Sequence, residues 1–295
     1  MTRALAKAIR STRMKQGSRS PLAGWQASIA AAERWGDPAA TRLIAGKARQ
    51  QIVKAMAGRW LREAEQLLGV VSEGRRWRMV TFESLRLQSD HYRALACIGS
   101  VRDCVDVDAP AGTGVIAWNL DSMAQEFGTT EHATDLPLFM GWAEMTIAQT
   151  ALHEAAHFLA PIVGLPTWTK ANFALAVSMP STPRKPGTAQ VNHGPRWAQA
   201  YAVLVERAVS GRGRLALREG HLLDAPGFRR LFRDLVNDDL ASHAGRPGEA
   251  IVDAATADIG CRGPWHMPIQ EMLSAELPVA LVDLFEVGER SSAAA

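Results

Sequence analysis

From residue 141 to residue 159 the chain reads GWAEMTIAQTALHEAAHFL. Met145, Ala148, Ala151, Leu152, Ala155, Ala156 and Leu159 recur at helical spacing and form one continuous apolar stripe, so the stretch predicts a helix that Pro161 stops. Inside it, His153, Glu154, Ala155, Ala156 and His157 spell HExxH. Side chains four apart on a helix lie one above the other, so two imidazoles can converge on one ion while the neighbouring carboxylate reaches a water bound to it. Zinc lowers the pKa of such a water toward neutrality, and the glutamate takes its proton during attack on a carbonyl. The residue types at this spacing therefore point to metal-assisted hydrolysis, with His153 and His157 as ligands and Glu154 as general base.

Downstream, residues 162–192 are rich in proline and show no period, which predicts a long loop. A further helix begins at Pro195, with Trp197, Ala198, Tyr201, Ala202, Val205 and Val209 on its buried face. The third ligand has few candidates. Extended metzincin spacing needs Gly and His where Ala160 and Val163 stand, and no Asp or Glu occurs from 155 to 205. Glu206 is expected to face solvent from within its helix, which leaves His193, one residue before Gly194. Gly194 is expected to permit a close backbone approach, with Pro195 fixing the start of the helix. Arg196, Tyr201 and His132 are candidates for stabilising an oxyanion.

HEAAH followed after a long loop by HGPRW resembles the SprT-like zinc metallopeptidases and related actinobacterial metallohydrolases, over about residues 112–210. The resemblance implies a zincin-like α+β fold, zinc held by His153, His157 and His193, Glu154 as catalytic base, and a protein or peptide substrate. In some members of that group the substrate is protein bound to DNA. Many also carry a zinc ribbon with paired CxxC motifs, and this chain has no CxxC at all.

Upstream, Trp77 to Leu120 holds short apolar or alternating runs, RWRMVTFESL, ALACIGSV and GVIAWNL, bounded by Gly, Asp and Pro. They predict a small sheet, and the strand near 114–120 is expected to pair with extended substrate. Residues 25–69 predict helices broken at Gly36, Asp37 and Pro38, with Ile29, Trp35, Leu43, Ile44, Ile52, Met56, Trp60, Leu61, Leu67 and Leu68 as their apolar positions. Residues 215–287 predict more helices. The expected organisation is a basic helical module at 1–72, a zincin-like metallohydrolase domain at 73–212 and a helical extension at 213–295.

Of 33 Lys and Arg, 16 fall in residues 1–80, against 5 of 30 Asp and Glu, so this stretch carries a formal +11 and the remainder −8. A segment so charged suits an acidic partner such as nucleic acid, since Lys and Arg displace counterions from phosphates. The rival to the hydrolase reading is therefore a nucleic-acid-binding protein with a structural or vestigial zinc site. Apolar residues make up 47% of the chain, yet none of its apolar runs approaches the roughly 18 residues a membrane helix needs. The first 20 residues are basic, without the apolar centre of a secretory signal. Cys97, Cys104 and Cys261 are odd in number, which argues against a disulfide framework and for a reducing cytoplasm. Their spacing, with His266, matches no compact zinc knuckle.

Overall fold

The computed structural model describes residues 21–71, 76–87, 96–120, 122, 136–160, 193–210, 226–257 and 276–292. The proline-rich stretch 162–192, His132, Cys261, His266 and the first 20 residues lie outside these. The described fold is mixed α/β and mostly helical: α1 (Pro21–Arg34), α2 (Pro38–Val71), β1 (Trp77–Thr81), β2 (Ala96–Ser100), β3 (Gly114–Trp118), α3 (Leu136–Leu159), α4 (Pro195–Val209), α5 (Pro226–Ala244), α6 (Gly248–Thr256) and α7 (Val279–Ser292). The chain divides into two compact units.

The first unit takes residues 1–61, 88–95 and 119–144. Its helices α1 and α2 break where the sequence predicts: Gly36 adopts the left-handed φ of +65°, and Asp37 Oδ1 accepts a hydrogen bond from the Ala40 amide at 2.9 Å, capping α2. Trp25, Ile29, Ala32, Ile44 and Ala48 are buried, whereas Trp35 and Leu43 are 56% and 48% exposed. Those two positions share the helical spacing without sharing the core. Trp35 falls in the turn that ends α1, where the helical period no longer fixes a direction.

The second unit takes residues 62–87, 96–118 and 145–295, and so holds the sheet, the HExxH turns and α4 to α7. The strand order is β1-β3-β2, with β3 parallel to β1 and antiparallel to β2. Val115, Ile116, Ala117 and Trp118 are all buried because β3 is flanked by strands and covered on both faces, which accounts for its unbroken apolar run. This central position corrects one expectation. Both hydrogen-bonding edges of β3 are taken by β1 and β2, so it has none to offer an extended substrate.

The sheet grips the site helix through Gly114. The Trp77 ring meets Phe158 edge-on at 4.3 Å between centroids, and a β-carbon on Gly114 would come within 3.0 Å of Trp77 and 3.2 Å of Phe158. Phe158 directly follows His157, so this contact fixes the last turn of α3. Glu65 near the end of α2 accepts the Met79 amide at 2.6 Å and thus ties β1 to that helix.

Residues 145–157 of α3 are buried on every side, as is nearly all of α4. Small residues permit this, with Ala151, Ala155 and Ala156 on α3 and Ala198, Ala200 and Ala202 on α4. Phe232, Val236, Leu240 and Ala244 form a buried stripe on α5, joined by Ile251 and Ala255 of α6 and Leu281 and Phe285 of α7. Gly248 lets the start of α6 sit directly on the Asn237 backbone of α5, where a β-carbon would overlap main-chain atoms. Gly248→Ala should therefore destabilise the protein by about 1–3 kcal/mol, the usual cost of overpacking. Urea unfolding checks this, and an unchanged midpoint would mean that the two helices part without cost.

Candidate metal centre

His153 and His157 stand on adjoining turns of α3, their ring centroids 5.2 Å apart. His193 arrives from the segment before α4, its centroid 5.3 Å from that of His153 and 4.8 Å from that of His157. One ring nitrogen from each of the three lies within 4.8 Å of the other two. The structure thus brings together all three imidazoles that the sequence singled out.

Local sequence explains how His193 is held. Pro195 occupies the first turn of α4 as expected, and Gly194 is the residue before the helix. Gly194 has φ −73° and ψ −178°, angles that any residue adopts, so its backbone conformation does not call for glycine. The fixed floor is Trp197. Its ring lies 4.4 Å from His193, 4.9 Å from His153 and 5.6 Å from His157, stacked on the last, and its Nε1 donates to the His153 carbonyl at 3.4 Å. One tryptophan therefore sets the depth of all three rings.

The donor set suits a divalent transition ion. His153 Nε2 and His193 Nε2 are 3.3 Å apart, and two nitrogens bound tetrahedrally at 2.0–2.1 Å would be separated by about 3.4 Å. His193 Nδ1 is buried without a hydrogen-bond partner among the described residues. Burial, followed by the neighbouring His153 and His243, holds His157 well below the usual imidazole range. His193 is depressed by burial and then by His157, His153 and His243. Both rings are consequently neutral at physiological pH, the state in which imidazole ligates a metal.

Glu154 is buried, and that burial raises its carboxyl above the ordinary glutamate value, against the lowering pull of His153. Burial and then the Glu154 charge push up the Cys97 thiol on β2. Arg196 bonds Gln199 on its own helix at 3.0 Å. Tyr201 is fully buried, its hydroxyl accepting from Gln149 Nε2 at 3.0 Å. Glu206 is partly covered and pairs with Arg233 of α5 at 3.2 Å, rather than facing open solvent. Cys97 is a free thiol.

Two residues at this centre escaped the sequence reading. Asp239 and His243, one turn apart on α5, reach it from the stretch assigned to the extension. Asp239 Oδ2 accepts from His153 Nδ1 at 2.8 Å and from Gln149 Nε2 at 2.6 Å, while Oδ1 lies 3.2 Å from His243 Nδ1. The His243 ring is 4.6 Å from His193 and 4.8 Å from His153. Although burial works against it, Asp239 raises His243 above the ordinary imidazole value. Burial also works to raise Asp239, but hydrogen bonds from His153 and His243 outweigh it and hold the carboxyl far below the usual range. The only sequence signal was the i, i+4 spacing of Asp239 and His243 beside the apolar stripe, which neighbouring Asn237, Asp238 and Ser242 obscure.

Comparisons of the chain with protein-family models, characterised proteins and solved structures return no match.

The depressed imidazoles carry a sign for stability. His157 and His193 stay neutral in the folded metal-free protein but take up protons in the unfolded chain below about pH 6.5, so acid favours unfolding. His243 and Glu154 act in the opposite sense, since both hold protons more tightly in the folded chain than in the unfolded one. Metal-free Glu154→Gln, which removes the opposing carboxyl and leaves two depressed imidazoles against one raised, should therefore lose stability between pH 7.5 and 5.5, read as a falling urea midpoint. A midpoint that rises over this interval would show that His157 and His193 are not buried in neutral form.

Proposed function

We propose that the chain is a zinc-dependent metallohydrolase, a metallopeptidase of the HExxH…H class that hydrolyses peptide bonds in a protein or peptide substrate. The observation that carries this reading is the meeting of His153, His157 and His193, two from one helix and one from a distant segment, beside a buried glutamate. The 3.3 Å between His153 Nε2 and His193 Nε2 suits two ligands of one zinc ion. Three protein ligands with a fourth position for water is the ligand count of catalytic zinc sites, whereas structural sites are closed by four.

Bound zinc supplies Lewis acidity, which acidifies a coordinated water and polarises the scissile carbonyl. The chain's own residues supply the rest. Trp197 and the α3 backbone orient the imidazoles. Glu154 takes a proton from the attacking water and passes it to the leaving amine. Its raised affinity for protons, a consequence of burial, suits a group that must hold one transiently near neutral pH. Packing of Trp77 and Phe158 between sheet and helix supports the zincin-like part of the reading, and the convergence of HEAAH with HGPRW supports membership of the SprT-like group.

Purified protein should carry about one zinc per chain, and His193→Ala should lose it. Glu154→Gln should keep the metal and lose about 10²- to 10⁴-fold in cleavage of an unfolded protein substrate, because it removes the base and no ligand. Metal content by atomic emission and a casein digestion assay check these outcomes. Cleavage by Glu154→Gln at the wild-type rate would refute the role given to that carboxylate.

A further inference from the structure

Building on the metallohydrolase reading, we propose that Asp239 is the positioning residue of the metal centre, its carboxylate fixing through hydrogen bonds which nitrogen His153 and His243 present toward the triad. His153 has two ring nitrogens with different neighbours: Nδ1 lies 2.8 Å from Asp239 Oδ2, and Nε2 lies 3.3 Å from His193 Nε2. An ionised carboxylate only accepts hydrogen bonds. Nδ1 must therefore carry the proton, and in the neutral ring Nε2 is left with a lone pair facing the other ligands. This is the outer-shell arrangement that fixes the tautomer of a ligating imidazole and makes it more basic.

The second carboxylate oxygen does the same for another ring. Asp239 Oδ1 is 3.2 Å from His243 Nδ1, which also has the Asp239 carbonyl at 3.0 Å. These acceptors, with Ser242 Oγ at 3.0 Å from the same nitrogen, hold a proton on His243 Nδ1. Its ring lies against both His153 and His193, and its side chain is 39% exposed, at the more open side of the cluster. His153, Asp239 and His243 also lie close enough together to hold an ion, but the HExxH pairing favours the triad, in which His153 turns Nε2 to His193 and keeps Nδ1 for Asp239. Asp239 is therefore assigned to orienting the ligand His153 and its neighbour His243.

Further contacts fix the carboxylate. Gln149 Nε2, one turn before His153 on α3, donates to Oδ2 at 2.6 Å and to the Tyr201 hydroxyl at 3.0 Å. Helices α3, α4 and α5 thus each place a side chain in one hydrogen-bonded cluster behind the metal ligands. The carboxylate cannot rotate away without stranding the Gln149 and His153 donors on α3.

Asp239→Asn tests the assignment, since the substitution keeps size while replacing one acceptor oxygen with a donor. Zinc affinity should fall about 10- to 100-fold, measured by competition with a chromophoric chelator. In metal-free protein labelled with ¹⁵N-histidine, the His153 resonance, assigned by its absence from His153→Gln, should report the Nδ1–H tautomer in wild type. That signature should shift toward Nε2–H or a mixture in Asp239→Asn. Unchanged zinc affinity in a folded variant would overturn the proposal. So would an Nε2–H tautomer in wild type, a measurement that decides the matter even if Asp239→Asn does not fold. A wild-type protein that binds zinc and cleaves no peptide would sink the peptidase reading alone, and one that binds no metal would sink both.

Discussion

His157 and His193 can share a buried space only if they are uncharged and their lone pairs are given something to face. In this protein both conditions shape the structure around the site. Burial holds His157 and His193 neutral, while a carboxylate from a third helix engages the outer nitrogen of His153. Most of the surrounding sequence can be understood as the means of keeping that arrangement dry and fixed. Alanines let α3 and α4 be buried on all sides, Trp197 closes the cluster from below, and the Trp77 and Phe158 contact fixes the helix end next to His157.

The same residues serve packing and chemistry together. Trp197 is 2% exposed and would count as an ordinary core residue, yet its ring touches all three imidazoles. Gln149 and Tyr201 are buried polar groups whose partners lie in the hydrogen-bond cluster behind His153. A buried polar group left unpaired costs on the order of 1–3 kcal/mol, so such a cluster is stable only when complete. Disruption at one member is therefore felt by the others.

Features that depend on local spacing were legible in the sequence. The HExxH helix, Pro195 at the start of α4, the break at Gly36 to Pro38 and the three short strands each follow from periodicity or backbone chemistry within a few residues. His193 was reachable by elimination, because its neighbourhood contains no acidic rival. Features that depend on which element lies beside which were not. The run GVIAW looks the same at an edge or in the middle of a sheet, and only the pairing shows that β3 is central. Trp35 and Leu43 keep the helical period but face outward. Asp239 and His243 sit in a polar run on α5, where no pattern separates a residue reaching a distant imidazole from one facing water.

The ligand candidates come from two stretches of chain, with 35 residues, 158–192, between His157 and His193. An ion gripping both would act as a removable cross-link, closing a loop whose ends the unfolded chain must otherwise bring together at an entropic cost. Loading and folding would then be linked equilibria, with resistance to denaturation growing as the logarithm of free ion over dissociation constant. Metal scarcity would thus weaken the scaffold itself.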